Sequence, residues 1–190
     1  MVAPASKACA DRGCVDGPGF EAALCGAVAG DNEAWRELVR SVGPSVLAYA
    51  RAQGATDAED TLGDVLSALV RSIRDFQGDL SGFKAWAMRI AHSRIIDERR
   101  RATRRPTLLT ADPPEQMSYD DPFSEAIGSR WVYDVLDSLP PHQRDILLLR
   151  VIGGLSVDQT AAIVGKQPGA VRTAQHRALA RLRDTIVVEM

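Results

Sequence analysis

Five polar residues crowd into positions 172–177 near the C-terminus: Arg172, Thr173, Gln175, His176 and Arg177. Their chemistry is recognition. An arginine fork can read a guanine edge or hold a phosphate, and Gln175 and His176 lie close enough in helical phase to assist. Val171, Ala174, Ala178 and Leu182 fall on the opposite face at spacings of three and four, the stripe an amphipathic helix buries. A buried stripe backed by exposed donors is what a helix in a DNA major groove requires.

The elements that must position this helix are legible just upstream. Ser156 and Gln159 make an S-x-x-Q capping box for a first helix, each able to satisfy the other's orphan backbone donor. Ala161 to Val164 supply its apolar side, and Gly165 can turn left-handed after it. Gln167 then stands at the next N-cap and Pro168 at the first helical position, where a missing N–H costs nothing. The run is a helix-turn-helix with a basic second helix.

The other residues that could carry chemistry do not converge. His92, His142 and His176 are scattered, no Ser/His/Asp set or glycine-rich phosphate loop is visible, and no enzymatic activity is expected. Cys9, Cys14 and Cys25 lack third and fourth ligands at zinc spacing, so no metal and no cofactor are expected. The odd count without a secretory signal predicts a reducing, cytoplasmic setting and no disulfide framework. No apolar run approaches the length of a membrane span, so no membrane insertion is expected.

The overall charge of −2 argues against general polyanion affinity, but its distribution is uneven. Arg89 to Arg105 holds seven arginines against Asp97 and Glu98, and Lys166 to Arg183 holds five cations and no acid. Two basic segments on an acidic chain point to local nucleic-acid surfaces.

With 5% aromatics and abundant Ala, Leu and Arg, helix is favoured over sheet. Residues 1–18 are Ala/Gly/Pro-rich and read as a disordered tail. A first domain spans 19–105 as a bundle of about four helices. The first begins near Phe20 and pauses at Gly30. The next is capped by Asp31 and interrupted at Gly43–Pro44. A third opens with a Thr56–Glu59 capping box and carries Leu62, Val65, Leu66, Leu69, Val70 and Ile73. After a Gly78–Gly82 loop, Ser81 caps a long helix with Phe83, Trp86, Ala87, Ile90 and Ala91 inward. Residues 106–127, with four prolines and only acidic charges, form a flexible linker. A second domain, 128–190, holds a helix through Leu139, an apolar one over His142–Ile152 and the helix-turn-helix. The fold class is all-α, two small helical domains.

Two separated segments then resemble one family. DSLPPHQRDILLLRVIGGLSVDQTAAIVGKQPGAVRTAQHRALARLR is similar to the promoter-binding region 4 of the extracytoplasmic-function (ECF, group IV) sigma factors of bacterial RNA polymerase. DAEDTLGDVLSALVRSIRDF followed by FKAWAMRIAHSRIIDERRR resembles their region 2. The resemblance implies a factor that binds the polymerase core, at its β′ clamp and β flap, and directs initiation at promoter DNA. It implies that Gln167, Arg172, Thr173, Gln175, His176 and Arg177 face the −35 element. Phe83, Trp86, Arg89, Ser93, Asp97, Arg100 and Arg101 would serve the −10 element and its melting, with a pocket at the Gly78–Gly82 loop for an extruded base. Asp60, Asp64 and Leu66 would contact polymerase, and an anti-sigma factor is a further partner. The sequence departs from the family at Gly63, where Gln is usual, at Leu66, where an aromatic is usual, and at Ser93, where Asn is frequent. Gly63 predicts a locally looser helix. The competing class is a stand-alone helix-turn-helix regulator that binds an operator without polymerase.

Overall fold

The structure, a computed structural model, describes residues 19–104 and 135–189. The tail and linker expected from the sequence lie outside these, as does Arg105. Helix α1 (Phe20–Ala29) ends at Gly30, whose φ of 87° is the left-handed turn the sequence places there. Helix α2 (Asn32–Ala52) starts where Asp31 accepts a hydrogen bond from the Glu33 amide. Helix α3 (Ala58–Ser72) continues into a single 3-10 turn, Ile73–Asp75. The long α4 (Leu80–Arg104) completes the N-terminal bundle. In the C-terminal part follow α5 (Pro141–Val151), α6 (Val157–Val164) and α7 (Pro168–Glu189).

Three boundaries correct the sequence expectations. Helix α2 is not interrupted at Gly43–Pro44 but runs through it. Pro44 orphans the Arg40 carbonyl, and Arg40 is solvent-exposed, so water can satisfy that group. The stripe Leu38, Val42, Val46 and Tyr49 is buried on both sides of the proline and keeps one helical register through it. Helix α3 is capped by Asp57, whose carboxylate accepts from the Asp60 amide at 2.7 Å, rather than by Thr56. Glu59 is drawn away to Arg51 at 2.7 Å, and the Thr56 amide donates instead to Glu98. At α4 the cap is Asp79, accepting from the Gly82 amide at 2.8 Å. Ser81 therefore sits inside the first turn, which frees its hydroxyl for another use. Gly63 causes no break in α3.

A fourth correction concerns the thiols. Cys25, buried in α1, is disulfide-bonded. Cys9 and Cys14 precede it by 16 and 11 residues, separations at which loop closure costs little. The other half of the bridge lies outside the described residues.

Tyr49, Phe83, Leu38, Leu69, Met88 and Ile95 fill the N-terminal core. The C-terminal helices do not stand apart from it. Leu147, Leu148, Leu149 and Leu155 join the same apolar cluster, while Ile146, Ala161, Val171 and Ala174 form a smaller one inside the helix-turn-helix. Gly153 makes this contact possible: a Cβ there would stand 3.1 Å from Met88 of α4 and 2.6 Å from the Leu149 carbonyl oxygen.

Candidate nucleic-acid interface

The helix-turn-helix is built as its residues dictate. The Ser156 hydroxyl accepts from the Gln159 amide at 3.1 Å, and the Gln159 side-chain oxygen accepts from the Ser156 amide at 2.8 Å. Gly165 ends α6 with φ 64°, and Pro168 opens α7 with Gln167 before it. Val171, Ala174 and Ala178 are buried. Arg172, Thr173, His176 and Arg177 face solvent on the other side, and Gln167 is exposed at the helix mouth. Gln175 is half-buried, and its carbonyl accepts from the Arg150 Nε at 3.1 Å. Arg150 also donates to the Leu155 carbonyl, so α5, the turn and α7 are tied by one guanidinium. That Arg150 link was not read from the sequence, since its partner Gln175 lies 25 residues away on another helix.

On the N-terminal bundle the structure separates the residues expected at the −10 face. Phe83 is 0% exposed, which corrects its expected contact with DNA. Its ring is enclosed by Phe20, Phe76 and Trp86 at centroid distances of 5.5, 5.5 and 5.9 Å. Phe83 supports the surface from behind. Trp86 is half-buried and stacks on Phe76, with centroids 5.2 Å apart and planes 11° from parallel. Phe76 was absent from the expected site, although an aromatic ten residues before a tryptophan in a glycine-bounded loop was a visible signal. Trp86 and Arg89 line a cavity of about 560 Å³ together with Phe76, Gln77 and Gly82. Ser72, Asp75 and Ala85 add to its wall, and α6 contributes Gln159, Ala162 and Ile163.

Arg89, Ser93 and Asp97 recur every four residues along α4 and share a second, smaller depression of about 370 Å³. Arg100 and Arg101 are exposed beyond it, and Arg100 lies 3.8 Å from Asp97. Arg99, from the same basic run, turns the other way. It donates to Asp145 of α5 at 3.2 Å and to the side-chain oxygen of Gln53 at 2.5 Å.

The residues expected to meet polymerase lie on α3. Asp60 and Asp64, four apart, share an exposed face, and Asp64 pairs with Arg94 at 3.5 Å. Leu66 is half-buried against the core, so most of its surface is unavailable to a partner. Val70, expected inward, is 54% exposed on this helix.

Comparison with known proteins fits both halves of the chain. Residues 38–105 match the model for Sigma-70 region 2, and residues 129–182 match that for Sigma-70 region 4. The ECF RNA polymerase sigma factor SigD of Mycobacterium tuberculosis is 38% identical over 183 residues, covering 91% of this chain and 86% of that one. The ECF RNA polymerase sigma factor ShbA of Streptomyces griseus is 36% identical over 172 residues, covering 83% and 90%. The chain belongs to the ECF sigma factors. It binds RNA polymerase and directs promoter-specific transcription initiation. Among solved structures, a sigma factor RpoE in complex with the anti-sigma factor NepR from Bartonella quintana shares the fold. That match has a TM-score of 0.61 and 23% identity, and covers 82% of this chain and 97% of that one. No helix among the described residues of this sigma factor is long and apolar enough to cross a membrane.

Proposed function

We propose that the sigma factor divides promoter recognition between α7 and the face of α4. The observation that carries this is the split of α7, with Val171, Ala174 and Ala178 buried and Arg172, Thr173, His176 and Arg177 in solvent. Helix α7 enters the major groove of the −35 element. Arg172 and Arg177 read base edges or clamp phosphates, Thr173 and His176 flank them, and Gln167 lies beside the backbone at the helix mouth. Gln175, held by Arg150, fixes the helix rather than reading a base.

The −10 element is met by Trp86, Arg89, Ser93 and Asp97, with Arg100 and Arg101 holding the backbone of the opened strand. Extruding a base costs a few kcal/mol, and stacking against an aromatic returns about 1–3 kcal/mol per base. The half-exposed Trp86, braced by Phe76 and Phe83, is such a platform. Asp60 and Asp64 present the acidic face that meets polymerase. Domain limits of 19–105 and 128–190, with 106–127 as linker, follow from this division. The factor acts in the cytoplasm as a non-catalytic subunit, and an anti-sigma factor is its expected inhibitor.

Run-off transcription with purified core polymerase tests this reading. A promoter-specific transcript is expected only when the chain is added. Tight, specific binding to a duplex operator by the chain alone, with no transcript gained, would favour the stand-alone regulator instead.

A further inference from the structure

Arg150 stands in the last turn of α5, outside the residues placed on DNA above, yet it is joined to the helix that carries them. Its Nε donates to the Gln175 side-chain oxygen on α7 at 3.1 Å, and its Nη1 donates to the Leu155 carbonyl. Leu155 is buried, its own amide donates to the Leu149 carbonyl at 3.3 Å, and Ser156 beside it caps α6. One half-buried guanidinium thus spans the end of α5, the entry to α6 and the middle of the recognition helix.

Both acceptors are neutral carbonyls, so this arginine is not there to balance a charge. What it supplies is direction, because its donors are fixed in one planar fork. Arginine can only donate, which turns the Gln175 oxygen toward it. A glutamine reads adenine through its oxygen and its amide together, and here the oxygen is already engaged.

Packing alone leaves the orientation of α7 loosely set. The helix buries Val171, Ala174 and Ala178, and the small cluster inside the helix-turn-helix adds Ile146 and Ala161 from α5 and α6. Ridges built from alanine are shallow, so they resist rotation about the helix axis poorly. Helix α6 is held by its capping box and by the Gln159 amide, which donates to the Ser81 hydroxyl of α4 at 3.0 Å. Among the described residues, the side-chain hydrogen bond that joins α7 to another element is the one from Arg150. Gln175 lies three residues after Arg172 and two before Arg177, at the centre of the exposed face. With side chains reaching about 5–6 Å from a helix axis, a rotation of about 10° moves them by about 1 Å, more than the roughly 0.5 Å a recognition site tolerates.

We propose that Arg150 is a positioning residue for −35 recognition: through Gln175 it fixes the rotation of α7, and with it the aim of Arg172 and Arg177 at base edges. This role rests on the assignment of −35 reading to α7.

Initiation by the reconstituted holoenzyme on single-base −35 variants, at two salt concentrations, tests it. Arg150→Met keeps a side chain of similar reach without the donors. It should shrink the ratio between preferred and mismatched bases about tenfold, within what one bidentate contact supplies. Gln175→Met leaves the Arg150–Leu155 bond in place and should shrink the ratio similarly. The double variant should go no further than either single one, since both break the same link. Gln175→Glu keeps an acceptor for Arg150. It should preserve the ratio while lowering initiation at every promoter, because it sets a carboxylate near the phosphates. Circular dichroism should show the helices intact in all four. Wild-type ratios in Arg150→Met and Gln175→Met, beside a flattened ratio in Arg172→Ala or Arg177→Ala, overturn the positioning role alone. Wild-type ratios in Arg172→Ala and Arg177→Ala as well overturn the −35 assignment and this role with it. Additive losses in the double variant overturn the shared link. A salt dependence lowered in Arg150→Met but not in Gln175→Met also overturns it, by making Arg150 a phosphate contact.

Discussion

The hydroxyl of Tyr49 donates to Nδ1 of His92 across 2.8 Å, and its neighbours fix that direction. Arg99 can only donate, so Gln53 must turn its oxygen to Arg99 and its amide nitrogen to Asp145 and Tyr49. The Tyr49 oxygen then accepts from Gln53 at 2.9 Å, which sends its own hydrogen to His92. His92 is thus the unprotonated end of a chain that runs through Tyr49 and Gln53 to Asp145. Burial raises the Tyr49 pKa, with Asp145 adding to the rise, so this phenol stays a donor throughout the physiological range.

Stability should therefore fall in mild acid. Burial lowers the His92 pKa, opposed by the Asp145 carboxylate and assisted by Arg99. An unfolded chain takes up that proton near pH 6.5, and the folded chain only at lower pH. Between the two values the unfolded state binds more protons, so stability is lost as pH drops through that window and regained as it rises. Urea unfolding between pH 8 and 5 should show this slope. His92→Gln, which keeps an acceptor for Tyr49 without a titrating ring, should flatten it. Equal slopes in the two proteins would refute the assignment.

Gly153→Ala should be costly although the residue lies outside both promoter surfaces. A Cβ there meets the Leu149 carbonyl oxygen at 2.6 Å and the Met88 side chain at 3.1 Å. The methionine tip can move, but the backbone oxygen cannot without unwinding the end of α5. Overpacking of this kind costs about 1–3 kcal/mol. The denaturant midpoint should fall accordingly, and a midpoint equal to wild type would show that the α5–α6 turn is softer than drawn.

What could be read from the residues divides along physical lines. Caps and turns are local, so Asp31, the Ser156–Gln159 box, Gly165 and Pro168 were all legible, as was the buried stripe of α7. The errors at Thr56 and Ser81 arose where two residues within two positions of each other could each cap. A carboxylate prevailed at Asp57 and Asp79, and the alternative side chain or amide found a distant partner. Phe83 shows a different limit. Helical phase placed it near the −10 surface, but only the rings of Phe20 and Phe76, from other elements, decide that it is covered. The docking of the C-terminal helices on the bundle was illegible, because Gln53 and Asp145 are 92 residues apart and no local pattern pairs residues so distant.

Pro44→Ala should stabilise the sigma factor. The proline is exposed within α2 and removes the hydrogen bond that the Arg40 carbonyl would accept. A proline in a helix interior costs about 3 kcal/mol, and its restraint on the unfolded chain returns about 1 kcal/mol at most. A net gain of about 1–2 kcal/mol is expected in thermal or urea unfolding, with initiation unchanged. A loss of stability would mean that the proline sets a bend on which the packing of Val42 and Val46 depends.

The two proposed DNA surfaces should fail in different ways. Arg172 and Arg177 are exposed, lie on the face opposite the buried stripe, and make no ion pair with the described residues. Either one replaced by Ala should cost about 1–3 kcal/mol at the preferred −35 element and blunt the penalty for changing its bases. Arg100 and Arg101 lie near the end of α4, where density of charge matters more than placement. The Arg100–Asp97 contact, at 3.8 Å between exposed groups, is too weak to hold the guanidinium away from a phosphate. Neutralising both should weaken opening about equally across promoters and lower the salt dependence of complex formation, since fewer counterions are released. Initiation on a panel of single-base promoter variants at two salt concentrations separates these defects. If the α4 pair shifts base preference upstream while the α7 pair depresses every promoter alike, the assignment of −35 to α7 and −10 to α4 is reversed.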